Sequence, residues 1–206
     1  SVSATVASGS IEVQRILLPQ QDPVVPGFRI SGTNLPARMI SGDYYDYIDL
    51  EEQKFGIAIA DVSGKGVPAG LLMAMCRSVL RSVASGETSP SRALAAVNRQ
   101  LFPDIREDMF ISMAYSILDA ATGKLTLSRA GHEPALFFHK ETDKVELLRS
   151  PGLALGIDSG AVFERVTRDQ EVTLKSGDCV LFYTDGVKEA LDHQEEEFGM
   201  ERMCEA

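Results

Sequence analysis

The sequence predicts a layered α+β domain with antiparallel β-sheets. Strand patterns come first, two helical patterns follow over residues 67–101, and a second run of short strands fills most of the remaining chain. Strands and helices segregated in this way favour antiparallel sheets packed in layers over an alternating parallel sheet. At 206 residues the chain is long enough for one domain with a substantial core.

The N-terminal part of the chain combines a helix end with a β-hairpin. Residues 11–18 have the pattern of a short amphipathic helix, which Pro19 ends because proline cannot continue a helix. Residues 28–32 alternate like a strand, and residues 44–50 and 54–60 predict a hairpin around a polar turn. The second hairpin strand has large apolar side chains on one face and small ones on the other. We therefore expect both of its faces to be covered.

Two helices are predicted in the middle of the chain. The first begins at Val67-Pro68, since proline is tolerated in a first helical turn. Its apolar residues predict a wide buried stripe made of two rows: Leu71, Met75, Val79 and Val83 in one, and Leu72, Cys76 and Leu80 in the next. Arg77 and Arg81 lie off this stripe and are predicted to be solvated charges. Ser89-Pro90 caps the second helix, whose predicted inward residues are Leu94, Val97 and Leu101.

The remaining chain is predicted to consist mostly of strands, because short apolar runs alternate with turn residues. The runs are residues 110–118, 125–130, 135–139, 145–148, 171–174 and 179–184. A further helix is predicted over residues 198–204.

Composition and charge disfavour some classes of binding partner on physical grounds and indicate the redox setting of the protein. Thirty acidic and 20 basic residues give a formal net charge of −10, which disfavours nucleic acid and anionic lipid as main partners. No stretch approaches the ~20 apolar residues of a membrane span, and residues 1–10 lack the features of a signal peptide. The three cysteines lack metal-binding spacing, and Cys76 and Cys179 are predicted to be reduced core residues. These features predict a reducing, intracellular setting.

Three aspartates next to glycines are the most informative residues. Asp43 lies in the segment Ser-Gly-Asp-Tyr-Tyr-Asp at 41–46, while Asp61 and Asp185 each follow an apolar run and precede a glycine turn. Carboxylates gathered at one rim of a sheet repel each other unless a hard cation lies among them. With the Val62 carbonyl as a further oxygen ligand, this donor set predicts Mg²⁺ or Mn²⁺ rather than zinc. Two such cations would hold a hydroxide and bind a phosphoryl oxygen, so that a phosphate ester would be hydrolysed without a protein nucleophile.

Other candidate residues carry weaker signals. Asp46 stands three residues after Asp43, so in a regular strand it points to the opposite face, although a bulge would bring the two together. His132 lies alone in a turn and is predicted to be structural, with a role as proton donor as the alternative. Gly-Lys-Gly at 64–66 is not a nucleotide P-loop because no Ser or Thr follows the lysine, and no nucleophile elbow is present.

Four blocks of the sequence form a pattern that identifies a family. They are Ser-Gly-Asp-Tyr-Tyr-Asp at 41–46, Asp-Val-Ser-Gly-Lys-Gly-Val-Pro-Ala at 61–69, Ala-Gly-His-Glu-Pro at 130–134 and Tyr-Thr-Asp-Gly-Val-Lys-Glu-Ala at 183–190, with Phe-Gly at 198–199. In this order they resemble the PPM-type metal-dependent protein serine/threonine phosphatases of the bacterial SpoIIE/RsbU-like branch. The likeness runs from Ile11 to Met203.

The resemblance implies a fold and a set of metal ligands. The fold is an αββα sandwich, in which two antiparallel β-sheets are flanked by helices and a di-metal centre lies at one edge. Residues 1–18 would be a linker and the end of an N-terminal helix, and residues 19–206 the PPM-type phosphatase domain. Asp43, Asp61 and the Val62 carbonyl would bind one Mn²⁺ or Mg²⁺ ion, and Asp61 and Asp185 the other.

The resemblance also implies an activity and partners. Members hydrolyse phosphoserine or phosphothreonine on a phosphorylated STAS-type regulatory protein, an anti-sigma-factor antagonist, in the cytoplasm. An N-terminal sensor domain in the parent protein would control the activity, and a homodimer is one assembly that the resemblance allows. Neither nucleic acid nor membrane is an expected partner of this segment.

One departure from the family pattern bears on these expectations. The family has a further metal-binding aspartate in an Asp-Asp pair before its last strand, whereas no such pair follows Asp185 here, and Asp192 comes too early. We therefore expect the sandwich to lack its C-terminal edge and this form to hold one ion well at most. The alternatives are a weakly active or non-catalytic partner-binding module of the same fold and a generic divalent-cation-binding domain.

Overall fold

The computed structural model describes residues 16–35 and 42–205 of the chain. The strands are β1 (Val24–Val25), β2 (Phe28–Arg29), β3 (Tyr44–Asp49), β4 (Lys54–Val62), β5 (Ile111–Asp119), β6 (Lys124–Ala130), β7 (Ala135–His139), β8 (Lys144–Leu148), β9 (Gln170–Thr173) and β10 (Cys179–Leu181). The helices are α1 (Val67–Ala84), α2 (Pro90–Leu101), α3 (Ala161–Val166), α4 (Asp185–Lys188) and α5 (Gly199–Glu205), with a 3₁₀ turn at Phe102–Asp104. This order of elements matches the prediction, which had missed β1, α3 and α4.

The strands form two main antiparallel sheets. The larger sheet has the order β3-β4-β5-β6-β9 and the smaller one β10-β7-β8, while β1 and β2 pair separately. The predicted hairpin is the β3–β4 pair, in which Tyr44 lies opposite Ala60 and Asp49 opposite Phe55. Its turn residues 51–53 all have positive φ angles.

The elements stack in four layers, helix on sheet on sheet on helix. α1 and α2 cover one face of the larger sheet, where Leu72 and Leu94 are buried with small residues of β4. The other face of this sheet packs on the smaller sheet through Leu127 and Phe137. α5 lies against the smaller sheet through Met203. The predicted αββα sandwich is therefore confirmed, with Asp43 and Asp61 at one end of the β3–β4 hairpin and Asp185 at the start of α4.

α1 buries only one of the two rows predicted to face the core, the row of Leu72, Cys76 and Leu80. Leu72 and Cys76 are buried, whereas Leu71 is 62% exposed, Met75 is 39% exposed and Val79 is half-buried. The expectation that the Leu71 row lies between helix and sheet was wrong. Two adjoining apolar rows are equally hydrophobic, so the pattern alone does not decide which of them meets the small side chains of β4.

α1 is also the one helix in the described part of the chain that is long and apolar enough, at 18 residues, to cross a membrane by length and composition. Its buried residues belong to the same core cluster as β3, β4 and β5. We therefore regard α1 as the core helix of the sandwich.

The other sequence predictions had mixed outcomes. Ser89 caps α2, since its Oγ accepts a hydrogen bond of 3.3 Å from the backbone N–H of Arg92. Cys76 is buried as predicted, but Cys179 is exposed because β10 is an edge strand of the smaller sheet. Of the predicted helix over residues 11–18, residues 11–15 lie outside the described residues.

Candidate functional site

The register of the β3–β4 hairpin places Asp43 opposite Asp61. Its last pair is Tyr44 with Ala60, and one further step brings the two aspartates together. Side chains directly opposite each other in an antiparallel pair have Cβ atoms about 4.5–5.5 Å apart. Tyr44 and Ala60 are buried beneath the helices, so both aspartates lie on the other face of the sheet. The sequence prediction that these two carboxylates meet therefore has a simple cause in the strand register.

Gly42 allows this end of the hairpin to close. The backbone N–H of Val62 donates a hydrogen bond of 3.3 Å to the Gly42 carbonyl. A Cβ atom on residue 42 would lie 2.3 Å from the Val62 carbonyl oxygen and 2.8 Å from its nitrogen. Only glycine permits such an approach, which holds the Val62 carbonyl against the backbone that carries Asp43.

The turn after Asp61 is held in a fixed conformation. Gly64 and Gly66 have φ angles of 91° and 81°, a region that side chains other than glycine rarely adopt. The backbone N–H of Ser63 donates to the Phe110 carbonyl at 2.9 Å, and the Phe110 N–H donates to Ser63 Oγ at 2.8 Å. The turn is thereby tied to the segment that enters β5.

Asp185 lies close enough to the hairpin for its negative charge to raise the pKa of Asp61. It is the first residue of α4, just after the buried Tyr183. The pKa of Asp61 is raised from 3.8 to about 6, first because the side chain is partly buried, and then because Asp43 and Asp185 add like charge. Asp61 therefore experiences the negative charge of both other aspartates.

The donor atoms fit a hard divalent cation. Carboxylates and a backbone carbonyl are the oxygen ligands that Mg²⁺ and Mn²⁺ prefer, and the repulsion at Asp61 is the kind that a bound cation relieves. Within residues 16–35 and 42–205, no three His, Cys, Asp or Glu side chains converge tightly enough to ligate one ion together. The Asp43–Asp61 pair with the Val62 carbonyl is the best-defined part of the site.

His132 is buried between β5 and the segment that leads to Asp185. Its Nδ1 is 2.8 Å from Ser112 Oγ, and its Nε2 is 3.1 Å from the Tyr183 carbonyl oxygen. Burial lowers the pKa of His132 from 6.5 to about 4, so the ring is neutral at pH 7. The geometry agrees with the predicted structural role. No local sequence signal marks Ser112, because its position opposite Asp61 depends on the β4–β5 register.

The Asp46 side chain forms an ion pair on the face of the larger sheet that the helices cover, opposite the face of Asp43 and Asp61. The carboxylate is fully buried and accepts two hydrogen bonds of 2.6 Å from Arg81 and one of 2.7 Å from the Tyr44 hydroxyl. Arg77 Nε is 3.9 Å from it. The expectation that Arg77 and Arg81 are solvated charges was therefore wrong, because the sequence does not show that α1 packs over Asp46. The alternative in which a bulge turns Asp46 towards Asp43 is not observed.

Asp192 has a local role. Its Oδ1 accepts hydrogen bonds of 2.7 Å and 3.1 Å from the backbone N–H groups of Gln194 and Glu196. These bonds lower the pKa of Asp192 and hold the loop before α5.

Comparisons with known proteins point to one family. The family model described as Stage II sporulation protein E (SpoIIE) matches residues 51–206. Phosphoserine phosphatase RsbU of Bacillus subtilis is 33% identical over 177 residues, which cover 86% of this chain and 51% of that protein. Protein IcfG of Synechocystis sp. is 30% identical over 222 residues, covering 94% of this chain and 34% of IcfG. This chain thus spans about half the length of RsbU and about a third of IcfG.

Solved structures agree on the fold. The structure of the RsbU and RsbW domains of a Mycobacterium tuberculosis protein superposes with a TM-score of 0.63 at 28% identity, covering 73% of this chain and 40% of that one. The SiaA PP2C domain of Pseudomonas aeruginosa has a TM-score of 0.73 at 18% identity, covering 99% of this chain and 80% of that one. Both sequence and fold therefore lead to the same group of phosphatase domains.

Proposed function

Because this chain belongs to the SpoIIE family, the SpoIIE/RsbU-like branch of the PPM-type phosphatases, we propose that it is a metal-dependent phosphoprotein phosphatase. The proposed substrates are phosphoserine and phosphothreonine on a phosphorylated STAS-type regulatory protein. The observation that carries the proposal is the meeting of Asp43 and Asp61 across the β3–β4 hairpin, with Asp185 close enough to add to the raised pKa of Asp61.

Each residue of the site has a proposed role. Asp43, Asp61 and the Val62 carbonyl would hold one Mn²⁺ or Mg²⁺ ion, and Asp61 and Asp185 would hold a second. When bound, divalent cations supply Lewis acidity for the attack of water on a phosphorus atom. Asp61 would then be shared by both positions, in keeping with the like charge that Asp43 and Asp185 place around it.

The surrounding residues restrict the mechanism. His132 is neutral and both of its ring nitrogens are occupied by Ser112 and the Tyr183 carbonyl, so it is not poised to donate a proton to a leaving group. A Cβ atom built on Gly64 or Gly66 would have no atom within 4 Å, so the backbone of this turn is open on these sides, which suits the approach of a phosphoryl group.

We further propose the cellular setting of the domain. Residues 19–206 would form the phosphatase domain and residues 1–18 the end of a linker from an N-terminal sensor domain in a longer parent protein. The domain would act in the cytoplasm, and a homodimer is the assembly to test first. Neither nucleic acid nor membrane is a proposed partner, in keeping with the net charge of −10.

The test is Mn²⁺-dependent hydrolysis of p-nitrophenyl phosphate by the 206-residue chain. We expect turnover that EDTA abolishes and that Asp61→Asn reduces by at least about 100-fold, as expected when a shared metal ligand is lost. Asp49→Asn is the matched control, because Asp49 is an exposed aspartate at the other end of the β3–β4 hairpin, in the strand that pairs with the one carrying Asp61. It should leave the rate within about two-fold, since a surface substitution has little effect.

Two results would separate the candidate functions. Full activity in Asp61→Asn would refute the metal assignment. Normal Mn²⁺ binding without turnover would instead favour the partner-binding module of the same fold, and a pull-down with a phosphorylated STAS-type protein would then distinguish binding from hydrolysis.

A further inference from the structure

We propose that His132 is a positioning residue that holds the Asp185 turn at a fixed place relative to Asp61. This inference rests on the proposed function, because it assigns a task to the Ala-Gly-His-Glu-Pro segment at 130–134 within the same site. The candidate carboxylates lie just before β3 (Asp43), in β4 (Asp61) and at the start of α4 (Asp185), and the β3–β4 register fixes only Asp43 and Asp61. Something else must therefore fix Asp185.

The imidazole joins the two parts of the site directly. Ser112 is the register partner of Asp61 in the β4–β5 pair, and its Oγ is 2.8 Å from His132 Nδ1. On the other side of the ring, Nε2 is 3.1 Å from the carbonyl oxygen of Tyr183, two residues before Asp185. A single side chain thus spans from the strand next to Asp61 to the turn that carries Asp185.

The hydrogen bonds define one state of the ring. The Tyr183 carbonyl can only accept, so Nε2 carries the proton, and Nδ1 then accepts from the Ser112 hydroxyl. His132 is 4% exposed and Tyr183 is 3% exposed, so neither group can exchange its partner for bulk water. Both nitrogens of the neutral imidazole are satisfied, which makes the contact rigid.

A second contact from the same segment supports the Asp185 turn from the other end. Glu133 and Lys188, the last residue of α4, form an ion pair of 2.8 Å with both side chains about 30% exposed. Arg129 of β6 donates hydrogen bonds to the carbonyls of His132 and Ser150, which anchors the segment to the larger sheet. The residues before and after Asp185 are therefore held by neighbours in the sequence, His132 and Glu133.

Two substitutions at residue 132 separate positioning from packing. The amide nitrogen of glutamine matches imidazole Nε2, so His132→Gln keeps a donor for the Tyr183 carbonyl. The amide of asparagine matches Nδ1, so His132→Asn leaves that buried carbonyl without a donor. His139→Asn is the control for the same chemical change, because His139 bonds to Glu146 on the surface, at 3.0 Å.

The first measurement needs no metal. In EDTA, hydrogen exchange is followed at the amides of Val187 and Glu189, which donate to the carbonyls of Thr184 and Asp185 at 3.1 and 2.9 Å. We expect exchange about ten-fold faster in His132→Asn and within about three-fold of wild type in His132→Gln and His139→Asn, as expected for one buried hydrogen bond lost. In calorimetric titrations with Mn²⁺, the same Asn variant should need about 10- to 100-fold more metal for saturation, as for other supporting partners of metal ligands.

Unchanged exchange in His132→Asn, or equal acceleration in the Gln and Asn variants, would overturn the proposal. If His132→Asn does not fold, Ser112→Ala takes its place, since it removes the hydroxyl that holds the ring in its Nε2–H form. Faster exchange at Val187 and Glu189 would then support the proposal, and unchanged exchange would overturn it. Failure of the wild-type chain to bind Mn²⁺ would contradict the proposed function alone, because the exchange comparison in EDTA still decides the role of His132.

Discussion

Asp61→Asn should make the metal-free protein more stable while removing its proposed activity. The Asp61 carboxylate is partly buried next to Asp43 and near Asp185, and its pKa is raised to about 6. A raised pKa in the folded state means that folding disfavours the charged form of the carboxyl group. Asparagine has nearly the same shape without the charge, so the substitution removes this penalty.

The size of the effect follows from the pKa. The difference between 3.8 and about 6 corresponds to about 3 kcal/mol, at 1.36 kcal/mol per pH unit. Because the side chain is only half-buried, solvent screening reduces this to about 1–2 kcal/mol. Above pH 6 the charged Asp61 destabilises the folded protein by this full amount. The destabilisation shrinks as the pH falls towards 3.8, the pKa of Asp61 in the unfolded chain, and is nearly gone at pH 4.

The assay is urea unfolding in EDTA at pH 7.5 and at pH 4. We expect Asp61→Asn to raise the free energy of unfolding by about 1–2 kcal/mol at pH 7.5 and by much less at pH 4. Adding Mn²⁺ should stabilise the wild type, since a ligand stabilises only the form that binds it. The wild type should then have a higher free energy of unfolding than Asp61→Asn. Asp49→Asn serves as the control. A loss of stability in Asp61→Asn at pH 7.5 would refute the reasoning that repulsion is concentrated on this residue.

Three further predictions concern the framework of the site. Leu72→Ala should lower the free energy of unfolding by about 2–5 kcal/mol, because Leu72 is buried between α1 and the larger sheet. Leu71→Ala should lower it by less than about 0.5 kcal/mol, because Leu71 is exposed. Equal losses in urea unfolding would contradict the orientation of the helix. Asp46→Asn should cost about 1.5–3 kcal/mol, the range for hydrogen bonds to a charged group, because Arg81 is 42% exposed and keeps access to water. The double variant with Arg81→Met should recover part of this loss, and an additive result would show that the two residues do not interact. Gly42→Ala should weaken Mn²⁺ binding by at least about ten-fold in calorimetry, since the new methyl group meets backbone atoms at 2.3 Å, and unchanged affinity would show that the hairpin end is looser than described.

Much of the fold was determined by local patterns in the sequence. The alternation in β3 and β4, the Pro68 and Ser89 starts of α1 and α2, and the turn signals between the later strands all predicted elements that the structure contains. These signals are local, because strand period, proline geometry and capping depend on neighbours within a few residues. The short α3 was not predicted, although Asp158 just before it carries a local signal, since its carboxylate accepts hydrogen bonds from the backbone N–H groups of Val162 and Phe163.

The sequence by itself also determined which residues belong together chemically. Asp43, Asp61 and Asp185 were selected because an aspartate beside a glycine turn at a strand end places oxygen ligands at a sheet rim, and the Val62 carbonyl followed from its position next to Asp61. That selection needs only residue type and element type, both of which are local properties.

Only the tertiary structure decided how distant residues face one another. It placed Leu72 rather than Leu71 against the sheet, paired the buried Asp46 with Arg81, and set His132 between Ser112 and the Asp185 turn. Each of these three contacts depends on a strand register or on the rotation of a helix about its axis. Different registers and rotations fit the same hydrophobic pattern, and only the packing of residues far apart in the chain distinguishes them. The sequence therefore predicted the candidate ligands, and the packing of β5, α1 and the 130–134 segment decided which residues surround them.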